Sequence, residues 1–571
     1  MENIDVARVF NEVADLLAIQ GANTFRIRAY RSAARTIETL GTPVASLVES
    51  DPAALEELPG IGADLASKIV AIVKTGHLPL LRELSRQTPA TLTALLRIPG
   101  LGPKRARLIY DTLGVKTLTQ LEKAARAGRL RDVKGLGPVL EQTILRGLGQ
   151  EKAHAARVKL SDAEADIRPL LDHLRGAPGV TSLDVAGSYR RRRETVGDID
   201  LLVCATRPGP IAERFVTDPG VRQVTAHGET RCAVVLKSGL QVDLRIVPPR
   251  SYGAALYYFT GSKAHNIAVR RLAVKRHLKI NEYGVFRGPR QIGGRAEVDV
   301  FKSVGLPWIP PELREDRGEI DAARAGLLPR LVELKDIRGD LQMHTVHTDG
   351  HHTVEEMARA CRDRGYAYMA VTDHTKAVRV AGGLSRAGFR KLFRDIERAQ
   401  QVLQDITILK SAEVDILEDG TLDLDAETLT ELDVVLVSVH SKFNLPRAAM
   451  TRRILKAMQH PRVHILGHPT GRLIGRREPY AVDMEAIVAT ARQHGVLIEI
   501  NAQPERLDLN DTYARMARDA GVKLVISTDA HRIEELDFMR YGVDQARRGW
   551  CTRADIANSR TLDAFRRLLR R

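Results

Sequence analysis

Apolar and polar positions follow three different rhythms along the chain. From Ile4 to about Gly76, residues such as Val6, Val9, Phe10, Val13, Leu16 and Leu17 recur at the spacing of one helix face, which predicts helices. A glycine turn, Leu58-Pro59-Gly60-Ile61-Gly62, opens the helical pattern Ala63 to Val73. The turn returns as Ile98-Pro99-Gly100-Leu101-Gly102-Pro103-Lys104 and, more loosely, as Val133-Lys134-Gly135-Leu136-Gly137-Pro138. From about Lys152 to Val247 helix and strand patterns mix. The run Ile199-Leu201-Leu202-Val203 predicts a buried strand, and Ala233 to Lys237 with Leu240 to Val247 predict a hairpin turning at Ser238-Gly239. Pro307, Pro310 and Pro311 end this region, and a charged stretch from Glu312 to about Lys335 reads as a connector. Beyond it, seven short apolar runs alternate with helical patterns. They are Gly339 to His344, Met369 to His374, Ile406 to Asp415, Val434 to His440, Val463 to His468, Val496 to Asn501 and Leu524 to His531. Strands alternating with helices predict a parallel barrel.

Alternation across a strand places Asp198 and Asp200 on one face, with Ile199, Leu201 and Val203 on the other. In the hairpin, Leu240, Val242, Leu244 and Ile246 form the apolar face, and Gln241, Asp243 and Arg245 the polar one. Three carboxylates on adjacent strands repel: at roughly 4 Å each pair costs about 1 kcal/mol in water and about 4 kcal/mol at an effective dielectric of 20. Hard divalent cations remove that cost and supply a two-metal site for phosphoryl transfer. Just upstream, Gly187-Ser188 and Gly197 can bring backbone N–H groups to phosphate oxygens, and Arg191 can neutralise their charge.

Residues 336–571 hold eleven of the 17 histidines, and most of their apolar runs end in metal-ligand residue types. Ligands at strand C-termini lie where barrel active sites are built. Imidazole and carboxylate without thiolate suit zinc, manganese or iron. The formal net charge of +16 and pI near 9.7 favour a polyanionic partner. Four widely spaced cysteines give a reduced, cytoplasmic pattern. Neither a signal peptide nor a membrane-spanning run is expected. A length of 571 residues implies about four domains. In a basic chain, three apolar-Gly-x-Gly turns that each open a helix present backbone N–H groups to an anion without reading bases.

These motifs carry a resemblance. Gly187-Ser188 through Asp198-x-Asp200 and Asp243-x-Arg245 is similar to the nucleotidyltransferase palm of the family X DNA polymerases. Tyr258-Phe259-Thr260-Gly261-Ser262 with Asn266, Arg270 and Ile280-Asn281-Glu282-Tyr283 resembles that family's thumb. The glycine turns resemble helix-hairpin-helix motifs, and the last part resembles the PHP (polymerase and histidinol phosphatase) family. The fusion is similar to the bacterial form of the polymerase.

The resemblance implies a multidomain α/β protein. Its expected domains are a helical lyase-like domain over 1–85, helix-hairpin-helix fingers over 86–150, an α+β palm over 151–248, a thumb over 249–311, a linker over 312–335, and a PHP (β/α)7 barrel over 336–571. It implies Asp198, Asp200 and Asp243 as catalytic ligands for magnesium or manganese. Gly187, Ser188, Arg191, Gly197, Tyr258, Phe259, Gly261, Lys263, Asn266 and Arg270 would bind the deoxynucleoside triphosphate. Gly60, Gly62, Gly100, Gly102, Lys104, Gly135, Gly137 and Arg245 would hold gapped or primed DNA. In the barrel it implies His344, Asp349, His374, Glu413, His440, His468, Asp529 and His531 around three metals. Gln342 stands where the family's first motif has a histidine. Lys68 matches the family's Schiff-base lysine, with Tyr30 and Arg31 also matching, but Phe25 replaces a histidine of lyase-active relatives. Lys263 replaces an acidic residue of vertebrate relatives and Arg192 a frequent glycine. The implied function is gap-filling synthesis in base excision repair by a monomer, with 3′→5′ or abasic-site nuclease activity. Two alternatives are a nucleotidyltransferase acting on another polynucleotide and a DNA-binding repair scaffold with a vestigial PHP domain.

Overall fold

The computed structural model describes residues 3–40, 44–98, 100–155 and 157–570. Pro99 of the second glycine turn lies outside them. The N-terminal helices bury Val6, Phe10, Val13, Leu16, Leu17, Tyr30 and Ile37 in one core that extends to Leu84, and a second core runs from Leu92 to Leu148. Amphipathic helices need only pack apolar stripes together to reach this arrangement.

Each of the three glycine turns is built alike. Gly60, Gly100 and Gly135 have φ of +80°, +87° and +93°, the left-handed region that a side chain resists. The next residue, Ile61, Leu101 or Leu136, then donates its N–H to the carbonyl of Leu58, Ile98 or Val133. That residue is buried, so it anchors the turn to the core. The helices Ala63–Thr75, Pro103–Leu113 and Pro138–Ala155 begin one residue after Gly62, Gly102 and Gly137.

Residues 180–247 form a five-stranded sheet. Its order is Val180–Val185, Ile199–Ala205, Gln241–Val247, Arg231–Leu236 and Val221–His227. The central pair, Ile199–Ala205 and Gln241–Val247, is parallel, and its other neighbours are antiparallel. The helices Leu160–Arg175 and Pro208–Val216 cover the apolar face with Ile167, Leu170, Ile211 and Phe215. The opposite face carries the acids at one end and elsewhere packs Leu202 and Val247 on Ala255 and Leu256 of the following helix.

The helices Tyr252–Thr260 and Lys263–Val274 follow, with a short three-stranded sheet over 279–293. The stretch 312–335, read from its charge as a connector, is packed against this unit. Arg314 is buried with its guanidinium on Glu297, and Glu319 meets His265 in a buried pair at 2.6 Å. Ile320 and Ala323 enter the same core. Charge along the sequence misreads this stretch because each charged group finds its partner at a distance.

Residues 339–527 supply seven parallel strands in sequential order. A bridge between Met343 and Ala530 nearly closes them into a barrel. Leu341, Tyr368, Leu409, Leu436, Ile465, Leu497 and Val525 fill the interior, and Phe565 stacks on Tyr368 at 5.6 Å. Among the described residues, no helix is long and apolar enough to cross a membrane.

Barrel and palm share a core: Leu507 and Tyr541 of the barrel pack into the apolar cluster beneath the palm sheet. The Tyr541 hydroxyl donates to Glu164 at 2.8 Å, and Arg472 reaches Glu194 at 2.6 Å.

Candidate active sites

In the palm, the parallel register sets Asp200 beside Asp243, with Asp198 one step before the strand. Ile199, Leu201, Val203, Val242, Leu244 and Ile246 are buried on the other face, which fixes the direction of the acids. Burial, then the charges of Asp198 and Asp243, push the Asp200 carboxyl up to about 7. Such a cluster favours a cation. Its carboxylates converge less tightly than the barrel's, because among the described residues only the barrel gathers three or more ligand atoms within 4.8 Å of one another.

Gly187 begins the turn above these acids at φ +62°. A Cβ there would lie 2.5 Å from Asp200 Oδ2, so only glycine lets this turn approach the carboxylate. Ser188 lies in the same short helix, Gly187–Arg190, and Gly197 immediately precedes Asp198. Arg191 Nε donates to Glu315 at 3.0 Å and its guanidinium to the Thr260 carbonyl at 2.5 Å. Gly261 follows at the helix end, and a Cβ on it would lie 3.1 Å from Arg191. Arg191 is therefore positioned by protein contacts on one edge. Arg192, at the position of the frequent glycine, holds φ +56°, the left-handed conformation glycine favours.

Tyr258 and Phe259 are half-buried, and the Arg245 guanidinium lies 5.4 Å from the Phe259 ring. Lys263 is exposed at the start of its helix. Asn266 and Arg270, four apart and both expected at the nucleotide, differ. The Asn266 side chain is buried and donates to the Tyr258 carbonyl at 2.8 Å, while Arg270 remains partly open. Helical spacing puts both on one side, but the Tyr258 carbonyl captures the shorter side chain.

At the barrel mouth the predicted ligands meet. Three overlapping sets form: His344, Asp349, His374 and His531; His374, Glu413 and His440; and His344, Glu413 and Asp529. Glu413 is the hub, with His344, His374, His440 and His468 nitrogens at 3.4, 3.5, 3.2 and 2.8 Å. His344 and His374 each belong to two sets, with one ring nitrogen toward Asp349 and the other toward Glu413. The donor set fits transition-metal ions. His344 Nδ1, His374 Nδ1, His468 Nδ1, Asp349 Oδ1 and Glu413 Oε2 are all buried without hydrogen-bond partners. Gln342 also has both amide atoms buried and unpartnered.

Several supporting residues escaped the sequence reading. Asp415 accepts from His440, leaving the other ring nitrogen toward Glu413. The His531 Nδ1–H donates to the Asp529 carbonyl, and its Nε2 faces Asp349. Glu499 accepts the His468 N–H at 2.7 Å, and Asn501 donates to Asp529 at 3.0 Å. Glu499 and Asn501, two apart in an apolar strand, were the available signal. His468 and Asp529 carry φ of +24° and +54°, backbone conformations that residues other than glycine rarely adopt.

Burial lowers His374 and His468; against the same burial, the surrounding carboxylates raise His344, His440 and His531, which are the counter-charges when no cation is bound. Burial disfavours a charged Asp349, but His531, His344 and His374 outweigh it and hold the carboxyl at about 2. Burial lowers His440, but Glu413 and Asp415 prevail and raise it to about 9. A protonated imidazole is not a ligand, so metal uptake at pH 7 must displace protons. Affinity should climb as pH rises toward 9. Calorimetry in two buffers of different ionisation enthalpy reads the proton release, and equal heats in both would contradict it.

Comparison with known proteins agrees with this layout. Residues 1–78 match the helix-hairpin-helix domain, 92–150 the SAM-like helix-hairpin-helix tandem, 255–315 the DNA polymerase beta thumb and 340–503 the PHP domain. The chain is 36% identical to the DNA polymerase/3′-5′ exonuclease PolX of Bacillus subtilis (strain 168) over the full length of both. It belongs to that family. DNA polymerase lambda of Rattus norvegicus is 27% identical over 55% of this chain and 56% of its own length. Family X polymerases and PHP domains are metal-dependent, which accords with both acidic sites.

Proposed function

We propose that this family X polymerase extends DNA primers across short gaps at the palm and removes 3′ nucleotides at the barrel. The observation that carries the reading is the pairing of Asp200 with Asp243 on parallel strands beneath the Gly187 turn, in a chain whose barrel gathers a second metal-binding cluster. Magnesium or manganese held by Asp198, Asp200 and Asp243 would activate the primer hydroxyl and neutralise charge as the phosphodiester forms. Arg191 and the Ser188 turn would orient the triphosphate, and Tyr258 and Phe259 would pack on its sugar. In the barrel, His344, Asp349, His374, Glu413, His440, His468, Asp529 and His531 would hold manganese, zinc or iron, which would supply hydroxide near neutral pH. Asp415 and Glu499 would keep the imidazole and backbone geometry. One gapped substrate, incubated with variants at Asp243 and at His374, tests the division. Loss of both activities from either single variant would argue against two sites.

Gly62, Gly102 and Gly137 support the DNA-holding role. A Cβ on any of them would meet nothing within 4 Å, so packing does not demand glycine there. An open surface at a helix start suits close approach of a phosphate. Lys104, exposed in the first turn after Gly102, adds charge. Binding of gapped duplex should therefore be sequence-independent and fall about 10³-fold or more between 50 and 200 mM salt if six or more phosphates are contacted. A flat salt dependence would exclude this grip.

For the lyase step the local geometry is less favourable. Lys68 is 18% exposed at its side chain, forms an ion pair with Asp64, and lies 5.8 Å from the Tyr30 ring. Phe25 is 75% exposed and offers no proton-transfer group. If Lys68 does form a Schiff base with a 5′-deoxyribose phosphate, borohydride will trap an adduct that Lys68→Ala loses. Trapping that survives the substitution removes Lys68 as the nucleophile. The reading places the protein with DNA in a reducing cytoplasm, in keeping with four buried free thiols.

A further inference from the structure

Four consecutive arginines, Arg190 to Arg193, precede the catalytic aspartates, and in a DNA-binding chain such a run reads as a phosphate clamp. The contacts assign most of it elsewhere. Arg190 grips Glu297 at 2.6 and 3.0 Å and the Thr260 hydroxyl at 2.8 Å. Arg192 donates to Glu164 at 2.8 Å and lies 3.8 Å from Asp544 of the barrel. Glu194, which closes the run, receives the barrel's Arg472. Arg191 is the member turned toward Gly261 and the nucleotide side.

The barrel holds Arg191 from two directions. Arg548 ends the barrel helix Met539–Arg548, and its side chain is 3% exposed. It donates to the Arg191 carbonyl at 2.7 Å and to Glu315 Oε1 at 3.1 Å. That same Glu315 oxygen accepts from Arg191 Nε at 3.0 Å. Arg548 is fixed in turn by Asp511 at 2.6 Å, and Arg317 shares Asp511 at 3.1 Å. A buried guanidinium with three acceptors has a determined orientation, because each donor left unpaired there is costly. One barrel residue thus controls the backbone of Arg191 directly and its guanidinium through Glu315. Domain adhesion alone would not require the donor to end on the carbonyl of this particular residue.

We propose that Arg548 is a positioning residue of the polymerase site: it orients Arg191 toward the triphosphate of the incoming nucleotide, making the barrel a structural part of the polymerase. The proposal rests on the reading of Arg191 as a nucleotide contact. In the full-length protein, Arg548→Met keeps the bulk and removes the donors. It should raise the KM for the deoxynucleoside triphosphate about tenfold, the scale of a misplaced binding group. The affinity for gapped DNA, the nuclease rate and the metal content should stay within about twofold, since the nuclease ligands lie elsewhere on the barrel. Arg548→Lys should restore part of the KM. Should Arg548→Met fail to fold, Glu315→Gln applies the same test from the polymerase side and should raise the same KM. Arg191→Ala is the reference. If it raises KM but a folded Arg548→Met or Glu315→Gln does not, the barrel's positioning role is overturned. If Arg191→Ala itself leaves KM unchanged, the nucleotide reading falls, and the proposal with it.

Discussion

Asp243→Asn is expected to lower nucleotide addition by about 10³-fold or more, equivalent to roughly 4 kcal/mol of barrier, while leaving the fold and DNA affinity unchanged. Asn preserves shape but removes one of the three charges that draw cations to the strand pair. Asp243 has room for the exchange: its Oδ2 accepts from Gln241 at 2.8 Å, and its backbone belongs to the central strands. Asp200 gives a second readout. Its carboxyl rises to about 7 through burial and its two acidic neighbours, whereas an unfolded aspartate titrates near 4. The sign follows from proton uptake. The folded protein binds the proton more tightly than the unfolded chain, so this group penalises the fold increasingly as pH rises from about 4, and in full above about 7. Asp200→Asn should therefore stabilise the metal-free protein at pH 8, by about 1–2 kcal/mol after solvent screening, while abolishing synthesis. Thermal unfolding with and without magnesium measures this. Robust primer extension by Asp243→Asn would sink the palm assignment.

The other large effect belongs to Glu413. Four imidazoles face this one buried carboxylate, and it joins two of the three ligand sets. Glu413→Gln or His374→Ala should strip at least one ion and cut nuclease activity by about 10²–10³-fold, with gap filling retained. Metal analysis and a degradation assay on a 3′-labelled primer distinguish loss of metal from loss of substrate. Gln342→His belongs to the same experiment. It replaces an unpartnered buried amide with an imidazole beside His344, and it should tighten metal binding and raise activity at low metal. If Glu413→Gln loses metal yet degrades DNA at the normal rate, the barrel cluster is not the nuclease.

Local chemistry made much of this protein legible before folding. The barrel's strands could be read because most of the apolar runs end in a histidine or acid, and the helix-opening turns because glycine recurs at the same two offsets. Asp198, Asp200 and Asp243 could be placed on one polar face because side-chain alternation is a property of a single strand. What a residue pairs with across hundreds of positions is not a local property. The connector over 312–335 looked like a charged tether, yet Arg314 and Glu319 are buried on partners in the thumb. Asn266 was expected at the nucleotide, and its side chain donates to the Tyr258 carbonyl.

The arginine run shows the division most clearly. By itself the sequence determined that charge is concentrated beside the paired aspartates, and that glycines flank them where a backbone can come close to phosphate. Only the tertiary structure decided where that charge goes. Arg190 and Arg192 are taken by Glu297 and Glu164, and Glu315 is shared between Arg191 and Arg548, which lie 357 residues apart. An ion pair depends on separation in space, and chain order carries no measure of that separation until the two cores have packed.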